Sequence, residues 1–329
     1  MTLTSGPRMS NPLLIDGLIA MRLGRYCSGH PSCSRTEPTK VSETGTRRFR
    51  GLPVRTHCED MARMRDSLVS IWSTDDLSHA EFTRARHHSF AFEPHFRSTV
   101  CLALIVTGAL KLTIGRRTET AAKGAFVFIN AGDVHAGHAT STAQGWVMRT
   151  LHVAPGNLAE QMRNRGLRAE ADLPIRSGIR NERALADLFF GIHACAQTDH
   201  DRLKRVLAAH AEPAHRGEAG APTGSRTEAK RIRDYIEDRL FEQIRLSDLS
   251  KLVSMPPYTV VRVFRRTFGI PPHRYHTQRR VDAAQKLIRD RVPLSSISHL
   301  CGFADQAYLT RAFRRTLGYT PGLYARSVR

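Results

Sequence analysis

The most constraining feature of this 329-residue chain is a segment near its carboxyl end that is written twice. The first copy runs over Leu246–Tyr275 and the second over Leu294–Tyr324, and Phe264–Gly269 returns as Phe313–Gly318 with one substitution. The later positions recur at an interval of 49 and the opening leucine at 48, so one residue has been inserted between the two helices of the second copy. Because only two copies are present, the repeat predicts a duplicated module rather than a solenoid.

Each copy has the pattern of a helix, a tight turn and a second helix. In the first copy, the sequence predicts a short helix capped by Ser247, a break at Pro256 and a second helix that ends at Gly269. In the second copy, Ser295 and Asp305 are the predicted caps of the two helices. The second helix of each copy has an apolar face and an opposite face that is polar and carries arginine, which is a face that fits the major groove of DNA.

The connection between the two copies is predicted to be one continuous helix from Pro272 to Asp290. Proline is favoured in the first turn of a helix, and Val281, Ala284 and Leu287 belong to an apolar stripe along this segment. Nineteen residues at ~1.5 Å per residue span roughly 28 Å. Because one turn of B-DNA is ~34 Å long, two recognition helices held at this distance could enter successive major grooves.

An alternative interpretation is that the two copies are ordinary amphipathic hairpins whose charges are simply solvated. The repeated FRRT signature argues against it, and a longer stretch is more specific still. The stretch Cys301–Arg315, followed by Gly318–Pro321, resembles the signature of the AraC family of bacterial transcription regulators. Residues 227–329 as a whole resemble the DNA-binding domain of that family. One departure is that Pro256 stands where the family usually has a small capping residue.

The exposed faces of the two second helices supply the predicted DNA contacts. Arginine suits a guanine edge, glutamine suits adenine, and a methyl group suits the thymine methyl. Arginines beyond the reading face are expected to bind phosphates and so set register and affinity. The predicted base contacts are Tyr258, Val261, Arg262, Gln306, Ala307, Thr310 and Arg311. The predicted phosphate contacts are Arg265, Arg266, Arg314 and Arg315.

The charge of the chain favours a polyanionic partner. Fifty lysines and arginines against 30 acidic residues give a formal net charge of +20. Residues 227–329 hold 20 basic and 9 acidic residues, so the excess is concentrated where the repeat lies. Clustered positive charge of this kind is typical of a nucleic-acid-binding domain.

Periodicity predicts an α+β protein of two domains, with a small β-barrel or sandwich and trailing helices ahead of an all-α duplicated helix-turn-helix domain. The resemblance to the AraC family implies that the first of these is a cupin-like β-barrel. Residues 1–64 are predicted to be disordered or an extension upstream of the true translation start. The resemblance implies that residues 65–211 form a ligand-sensing and dimerisation domain and residues 227–329 the DNA-binding domain, while the composition of residues 212–226 predicts a flexible linker. The sensor prediction depends on short strands with Gly-rich turns and on a resemblance of Glu93–Phe96, Gly108 and Gly124–His135 to the cupin-type sensor of the AraC family.

A catalytic cupin is the competing interpretation of the sensor. Metal-binding cupins need two closely spaced histidines and a glutamate on one strand, with a third histidine later. Here Arg97 stands where the second histidine would be, and two ligands, His95 and His135, hold a metal poorly. We therefore expect no metal, no cofactor and no enzymatic activity. The predicted role of this region is an effector pocket, lined by His95, Arg97, His135, His138, Trp146 and Arg149.

Other features of the sequence narrow the setting. Cys27, His30 and Cys33 lack the second ligand pair of a zinc site, and the six cysteines show no paired spacing that would indicate disulfides. No apolar run approaches the ~20 residues that a membrane span needs. We expect a cytoplasmic regulator that binds double-stranded operator DNA and a small-molecule effector, with RNA polymerase as a partner and a possible homodimer.

Overall fold

The computed structural model describes residues 62–64, 67–73, 80–141, 145–156, 177–194 and 223–328. The predicted architecture is confirmed, with a sheet-rich N-terminal domain followed by a helical C-terminal domain. The predictions for residues 1–61, the two helices expected around Leu158 and Leu203, and most of the predicted linker lie outside the described residues. No helix in the described ranges is both long and apolar enough to cross a membrane.

The N-terminal domain, which we call the sensor after its predicted role, is built from antiparallel strands. The strands are β1 Ala62–Met64, β2 Ser67–Ser73, β3 Glu81–His87, β4 Phe92–His95, β5 Val100–Ile114, β6 Arg117–Ala122, β7 Phe126–Ile129, β8 His135–Ala139, β9 Trp146–Val153 and β10 Gly178–Arg180. In the main path the order is β1-β2-β3-β9-β5-β7-β10, while β4 pairs with β8, and both β8 and β6 pair with the long central strand β5.

Strand β5 holds the domain together because its two halves belong to different ladders. Its first half pairs with β7 and β9, and its second half pairs with β6 and β8. The first half is an apolar run buried on both faces, whereas the second half alternates between buried Leu110, exposed Lys111 and buried Leu112. The strand continues on both sides of Gly108, which lies inside β5.

Gly108 bends the strand instead of ending it. It has φ +74°, and a Cβ there would lie 2.1 Å from the carbonyl oxygen of Gly145. The register of β5 against β9 shifts between Ile105 and Thr107, just before this glycine. Only glycine combines this backbone conformation with so close a neighbour, so it allows the long strand to cross from one ladder to the other.

The helices of the C-terminal domain follow the duplicated pattern. With α1 at Arg183–Ala194 in the sensor, they are α2 Thr223–Asp238, α3 Leu246–Val253, α4 Pro257–Phe268, α5 Pro272–Arg289, α6 Leu294–Leu300, α7 Gln306–Leu317 and α8 Pro321–Ser327. The pairs α3–α4 and α6–α7 are the two copies of the repeat. The predicted connecting helix is confirmed as α5, and residues 223–226, expected to be part of the linker, lie within α2.

Helix ends show which local signals were interpreted correctly. Asp305 caps α7 as predicted, since its carboxylate accepts a hydrogen bond from the backbone N–H of Tyr308 at 2.6 Å. Ser247 and Ser295 are not caps, because each already lies inside its helix. The N-cap positions are taken by Arg245 and Pro293. A leucine thus takes the first helical position in both copies.

The second helices of the two copies, α4 and α7, are called the reading helices after their predicted role. Both end at glycines in the left-handed conformation, Gly269 (φ +79°) and Gly318 (φ +85°). Each of these glycines packs against the sensor. A Cβ at Gly269 would meet Val134 at 3.0 Å, and one at Gly318 would meet the ring of Phe92 at 3.1 Å. The C-terminal ends of both reading helices are therefore in contact with the sensor.

The two domains share buried surface. Val69, Ile71 and Ala85 of the sensor belong to the same apolar cluster as Leu287 and Phe313 of the C-terminal domain. Phe96 belongs to a second shared cluster with α2, α3, α4 and α5. The sensor also has an apolar cluster of its own, built on β5 and β7, so the shared packing adds to its core.

Candidate DNA-binding surface and ligand cavity

The first reading helix, α4, begins with two prolines. Pro256 takes the N-cap position without a side-chain cap and Pro257 the first turn, where its fixed φ fits a helix. Tyr258 is 76% exposed, and the guanidinium of Arg262 lies 5.9 Å from the centre of its ring. Val260 and Phe264 are buried on the opposite face, so the predicted reading face points outward.

The second reading helix, α7, presents its predicted face in the same way. Gln306, Ala307 and Arg311 are exposed, and Leu309 and Phe313 are buried on the other side. The side chain of Thr310 is half-buried, and its hydroxyl donates to the carbonyl of Gln306 at 2.8 Å. This bond uses the hydroxyl within the helix, so the methyl group is the part of Thr310 suited to contact a thymine.

The predicted phosphate-binding arginines have unlike surroundings. Arg265 and Arg266 are exposed on α4, and Arg314 is half-buried on α7. The Nε atom of Arg315 lies 3.9 Å from the carboxylate of Glu93 in the sensor, which also pairs with Arg274 of α5. A sensor carboxylate therefore lies beside one of the arginines expected to bind DNA.

The sensor encloses a cavity that two residues of the C-terminal domain help to close. The space open to the centre of a water-sized sphere is about 80 Å³, several times the ~10–15 Å³ that one water needs. His95, Arg97 and His135 line it, as predicted from the sequence. Leu317 and Tyr319, from the end of α7 and the turn after it, complete the wall.

Two of the predicted histidines lie side by side in this wall. The rings of His95 and His135 have centroids 4.2 Å apart, and their Nδ1 atoms lie 2.8 Å and 2.9 Å from the backbone carbonyls of Glu93 and Asp133. Burial lowers the pKa of His135 to about 4 and that of His95 well below its usual value, and the charge of Arg97 lowers both further. Both rings are therefore neutral at pH 7, with Nδ1 as the donor.

Arg97 is the one charged side chain among the described residues of the cavity wall. It is 9% exposed, and its described ion-pair partner is Glu81, whose carboxylate lies 3.9 Å from Nη2. The Tyr319 hydroxyl is buried beside Arg97, and no described residue accepts its hydrogen. Burial raises the pKa of this hydroxyl to about 12, although the nearby Arg97 opposes the shift, so Tyr319 keeps its proton.

Two of the predicted pocket residues, Trp146 and Arg149, do not line the cavity. Arg149 lies on the opposite face of β9, because successive side chains of a strand alternate. There its Nη1 atom is 3.3 Å from Nδ1 of His193 in α1. Trp146 is buried at the start of β9, and its ring packs 5.0 Å from that of His87. His138 is exposed on β8 and is likewise absent from the wall.

Several residues of the cavity wall escaped the sequence analysis. His152 lines the cavity beside Met148 and Thr150, and its pKa is well below the usual value because of burial and then of Arg97. The alternation of β9 could have revealed it, since these three residues occupy every second position. Tyr319 had no such signal, because it follows a helix of the other domain.

The described residues contain no group of three or more histidine, cysteine or acidic side chains arranged to hold a metal ion. The polar side chains of the cavity are instead those of a small-molecule site, in which a few placed polar groups stand in an apolar wall.

Two family models match the chain. The model described as an AraC-like ligand-binding domain matches residues 79–211, and the model described as a helix-turn-helix domain matches residues 249–327. The first match contains every residue that lines the cavity except Val69 of β2 and Leu317 and Tyr319 of the C-terminal domain. The second match contains both reading helices.

Curated relatives match over a shorter stretch. The chain is 37% identical over 94 residues to the probable transcriptional regulator LumQ of Photobacterium leiognathi, which covers 28% of this chain and 38% of LumQ. It is 29% identical over 108 residues to the regulatory protein PocR of Salmonella typhimurium, covering 32% and 36% of the two chains. The chain thus spans well under half the length of these relatives.

Among solved structures, unsaturated fatty acid-bound ToxT of Vibrio cholerae matches with a TM-score of 0.47 and 14% identity, over 81% of this chain and 97% of that one. The C-terminal domain of AraT, a response regulator of Geobacillus stearothermophilus, matches with a TM-score of 0.29 and 24% identity, over 30% and 84%. From its two family models and its curated relatives, the chain belongs to the AraC family of transcription regulators, with a ligand-binding domain ahead of a helix-turn-helix DNA-binding domain.

Proposed function

We propose that this protein is a sequence-specific regulator of transcription whose activity is set by a small molecule bound in the sensor cavity. The observation that carries the proposal is the pair of outward faces on α4 and α7, which are related by the internal repeat and joined by the single helix α5. A rigid connection between two reading helices suits a DNA site with two separated blocks.

The two faces differ in chemistry, so the two blocks of the site should differ in sequence. The α4 face offers Tyr258, Val261 and Arg262, whereas the α7 face offers Gln306, Thr310 and Arg311 with Ala307. One molecule should therefore recognise a non-palindromic site, unlike a symmetric dimer of single helix-turn-helix domains. In this proposal Arg265, Arg266, Arg314 and Arg315 bind phosphates, and His95, Arg97 and His135 contact the effector.

The partners and setting are part of the same proposal. We expect RNA polymerase as the downstream partner, a possible homodimer, a cytoplasmic location and no catalytic activity of the chain itself. The support for this is the family, together with the positive charge concentrated in the DNA-binding domain.

A selection experiment tests the proposal directly. The purified full chain is mixed with a pool of random duplexes, and the bound duplexes are sequenced after several rounds. We expect two short conserved blocks about one helical turn, ~10 bp, apart. The double variant Arg262→Ala/Arg311→Ala should keep salt-sensitive binding and lose the consensus. A wild-type pool that stays random after repeated selection would refute sequence-specific recognition.

A further inference from the structure

The sensor cavity is lined by a residue of the DNA-binding domain that has an unused hydrogen-bond donor. Tyr319 is 3% exposed and lines the cavity; Arg97 lies beside its hydroxyl oxygen, and no described residue accepts the hydroxyl hydrogen. Because this hydroxyl keeps its proton, it is a hydrogen-bond donor. A buried donor without a partner costs free energy, so a ligand that accepts a hydrogen bond here gains affinity.

Arg97 lies close to that hydroxyl and adds a positive charge to the same end of the cavity. Its partner Glu81 is 3.9 Å away, while Glu81 makes closer contacts with Arg289 at 2.8 Å and with Gln285 at 2.9 Å. Glu81 is therefore committed mainly to the DNA-binding domain, and Arg97 keeps the capacity to bind a second anion.

The other charges near Arg97 do not supply that anion. The Asp282 carboxylate, which Arg97 also influences, is paired with Arg279 at 3.1 Å, and Arg279 in turn binds Glu237 at 2.8 Å. No carboxylate is found among the residues lining the cavity that the structure describes. The histidines of the wall are neutral at pH 7, so they offer no competing charge.

Most of the remaining wall is apolar, although two threonines and four neutral histidines also line it. The apolar part includes side chains from β5, β7 and β9 that have no polar atoms beyond a thioether: Ala103, Leu110, Leu112, Val127, Ile129 and Met148. A ligand that fits this wall has an apolar body, and the size of the cavity limits it to a small molecule.

We propose that the cavity binds a small organic monocarboxylate, with its carboxylate held between Arg97 and Tyr319 and its apolar body against β5, β7 and β9. This rests on the proposed function, of which it names the effector class. Because Arg97 belongs to the sensor and Tyr319 to the DNA-binding domain, the bound carboxylate joins the two domains directly.

Calorimetric titration of the full chain tests this with matched pairs of probes. Benzoate is compared with benzamide and hexanoate with hexanamide, because each pair keeps size and shape while removing the charge. We expect at least one carboxylate to bind, and to bind at least about tenfold more tightly than its amide, as a charge-assisted hydrogen bond implies.

Two variants assign the contacts. Arg97→Met should abolish the preference for the carboxylate. Tyr319→Phe, which removes one oxygen atom and keeps the ring, should weaken carboxylate binding by roughly tenfold and leave amide binding nearly unchanged. The matched control is Lys111→Met, which removes an exposed positive charge from β5, away from the cavity wall, and should leave both affinities as they are. Circular dichroism checks that each variant is folded.

The outcomes separate this inference from the proposed function. Equal affinity for carboxylate and amide, no binding of any of the four probes, or an unchanged carboxylate affinity in folded Tyr319→Phe would overturn the ligand assignment while the selection of duplexes stands. Carboxylate binding that weakens in Tyr319→Phe, in a chain that selects no DNA sequence, would support the cavity assignment and refute the regulator.

Discussion

The guanidinium of Arg289 lies 2.8 Å from the carboxylate of Glu81, although the two residues are 208 positions apart in the sequence. Glu81 is 5% exposed in β3 of the sensor, and Arg289 ends α5, the helix that joins the two reading hairpins. Gln285 and the hydroxyl of Tyr324 donate to the same carboxylate. One sensor side chain thus binds α5 and α8 together.

Neutralising Glu81 should destabilise the whole chain. Glu81→Gln leaves Arg289 and Arg97 without their shared carboxylate. We expect a loss of about 2–4 kcal/mol in the free energy of unfolding. This is below the largest losses for broken buried ion pairs, because Arg289 is partly exposed. Urea unfolding followed by circular dichroism measures it. Glu119→Gln, at an exposed position of β6, is the control. Equal midpoints for the two variants would contradict the prediction.

Base-reading and phosphate-binding arginines should differ in how they respond to sequence and salt. Arg311→Ala is expected to cost about 1–3 kcal/mol at the selected site and to relax one base position. Arg265→Ala should weaken selected and scrambled duplexes alike and reduce the salt slope by about one unit. Fluorescence anisotropy at several salt concentrations measures both. If Arg311→Ala weakened both duplexes equally, it would not belong to the base-reading set.

Glu93 should restrain DNA binding, because it pairs with Arg274 and lies beside Arg315. Glu93→Gln is expected to tighten DNA binding by about two- to fivefold at low salt, the range set by exposed ion pairs, and the gain should shrink as salt rises. Glu119→Gln changes the net charge equally and should have a smaller effect. Weaker binding by Glu93→Gln would mean that Glu93 positions these arginines for DNA.

Acid should destabilise the protein between about pH 6.5 and 4. His276 is 7% exposed, its Nε2 lies 2.7 Å from the carbonyl of Leu240, and burial followed by Arg280 lowers its pKa to about 4. The unfolded chain therefore binds a proton that the folded chain resists, so the free energy of unfolding falls as pH falls through this window.

His276→Gln tests this contribution, because glutamine can also donate to the carbonyl of Leu240. We expect the slope of unfolding free energy against pH to decrease by up to ~1.4 kcal/mol per pH unit between pH 6.5 and 4. An unchanged slope would assign the acid sensitivity to the other buried histidines.

The purified protein should contain no stoichiometric transition metal. Arg97 stands where a metal-binding cupin needs a histidine, and an arginine beside His95 and His135 repels a cation. Elemental analysis of protein prepared without chelators measures this. One metal per chain that disappears in His135→Ala would refute the prediction and revive the enzyme interpretation.

Local features were the ones that the sequence predicted well. The duplicated hairpins, the connecting helix and the Asp305 cap depend on spacing and side-chain chemistry within a few turns of helix. Arg149 was predicted to line the pocket without applying the alternation of side chains along β9, which assigns it to the opposite face of that strand.

Contacts between distant segments could not be predicted in this way. Nothing near Glu81 in the sequence indicates that an acidic residue is buried there, since its partners are supplied by α5 and α8. Tyr319 directly follows Gly318, the glycine that ends α7, and nothing in the local sequence indicates a further role for it. Its position in the sensor cavity depends on how the two domains pack together.

Two separate constraints act on Gly269 and Gly318, the glycines that end the reading helices. The first is the left-handed turn of the helix end, and the second is the sensor surface, where a Cβ would lie only 3.0 Å from Val134 or 3.1 Å from Phe92. Although the internal repeat makes the two positions look alike, each faces a different sensor residue. The duplication therefore placed a glycine at the same position of both copies, and the sensor packs a different side chain against each. A substitution of Val134 or of Phe92 would change the contact between the sensor and one reading helix alone.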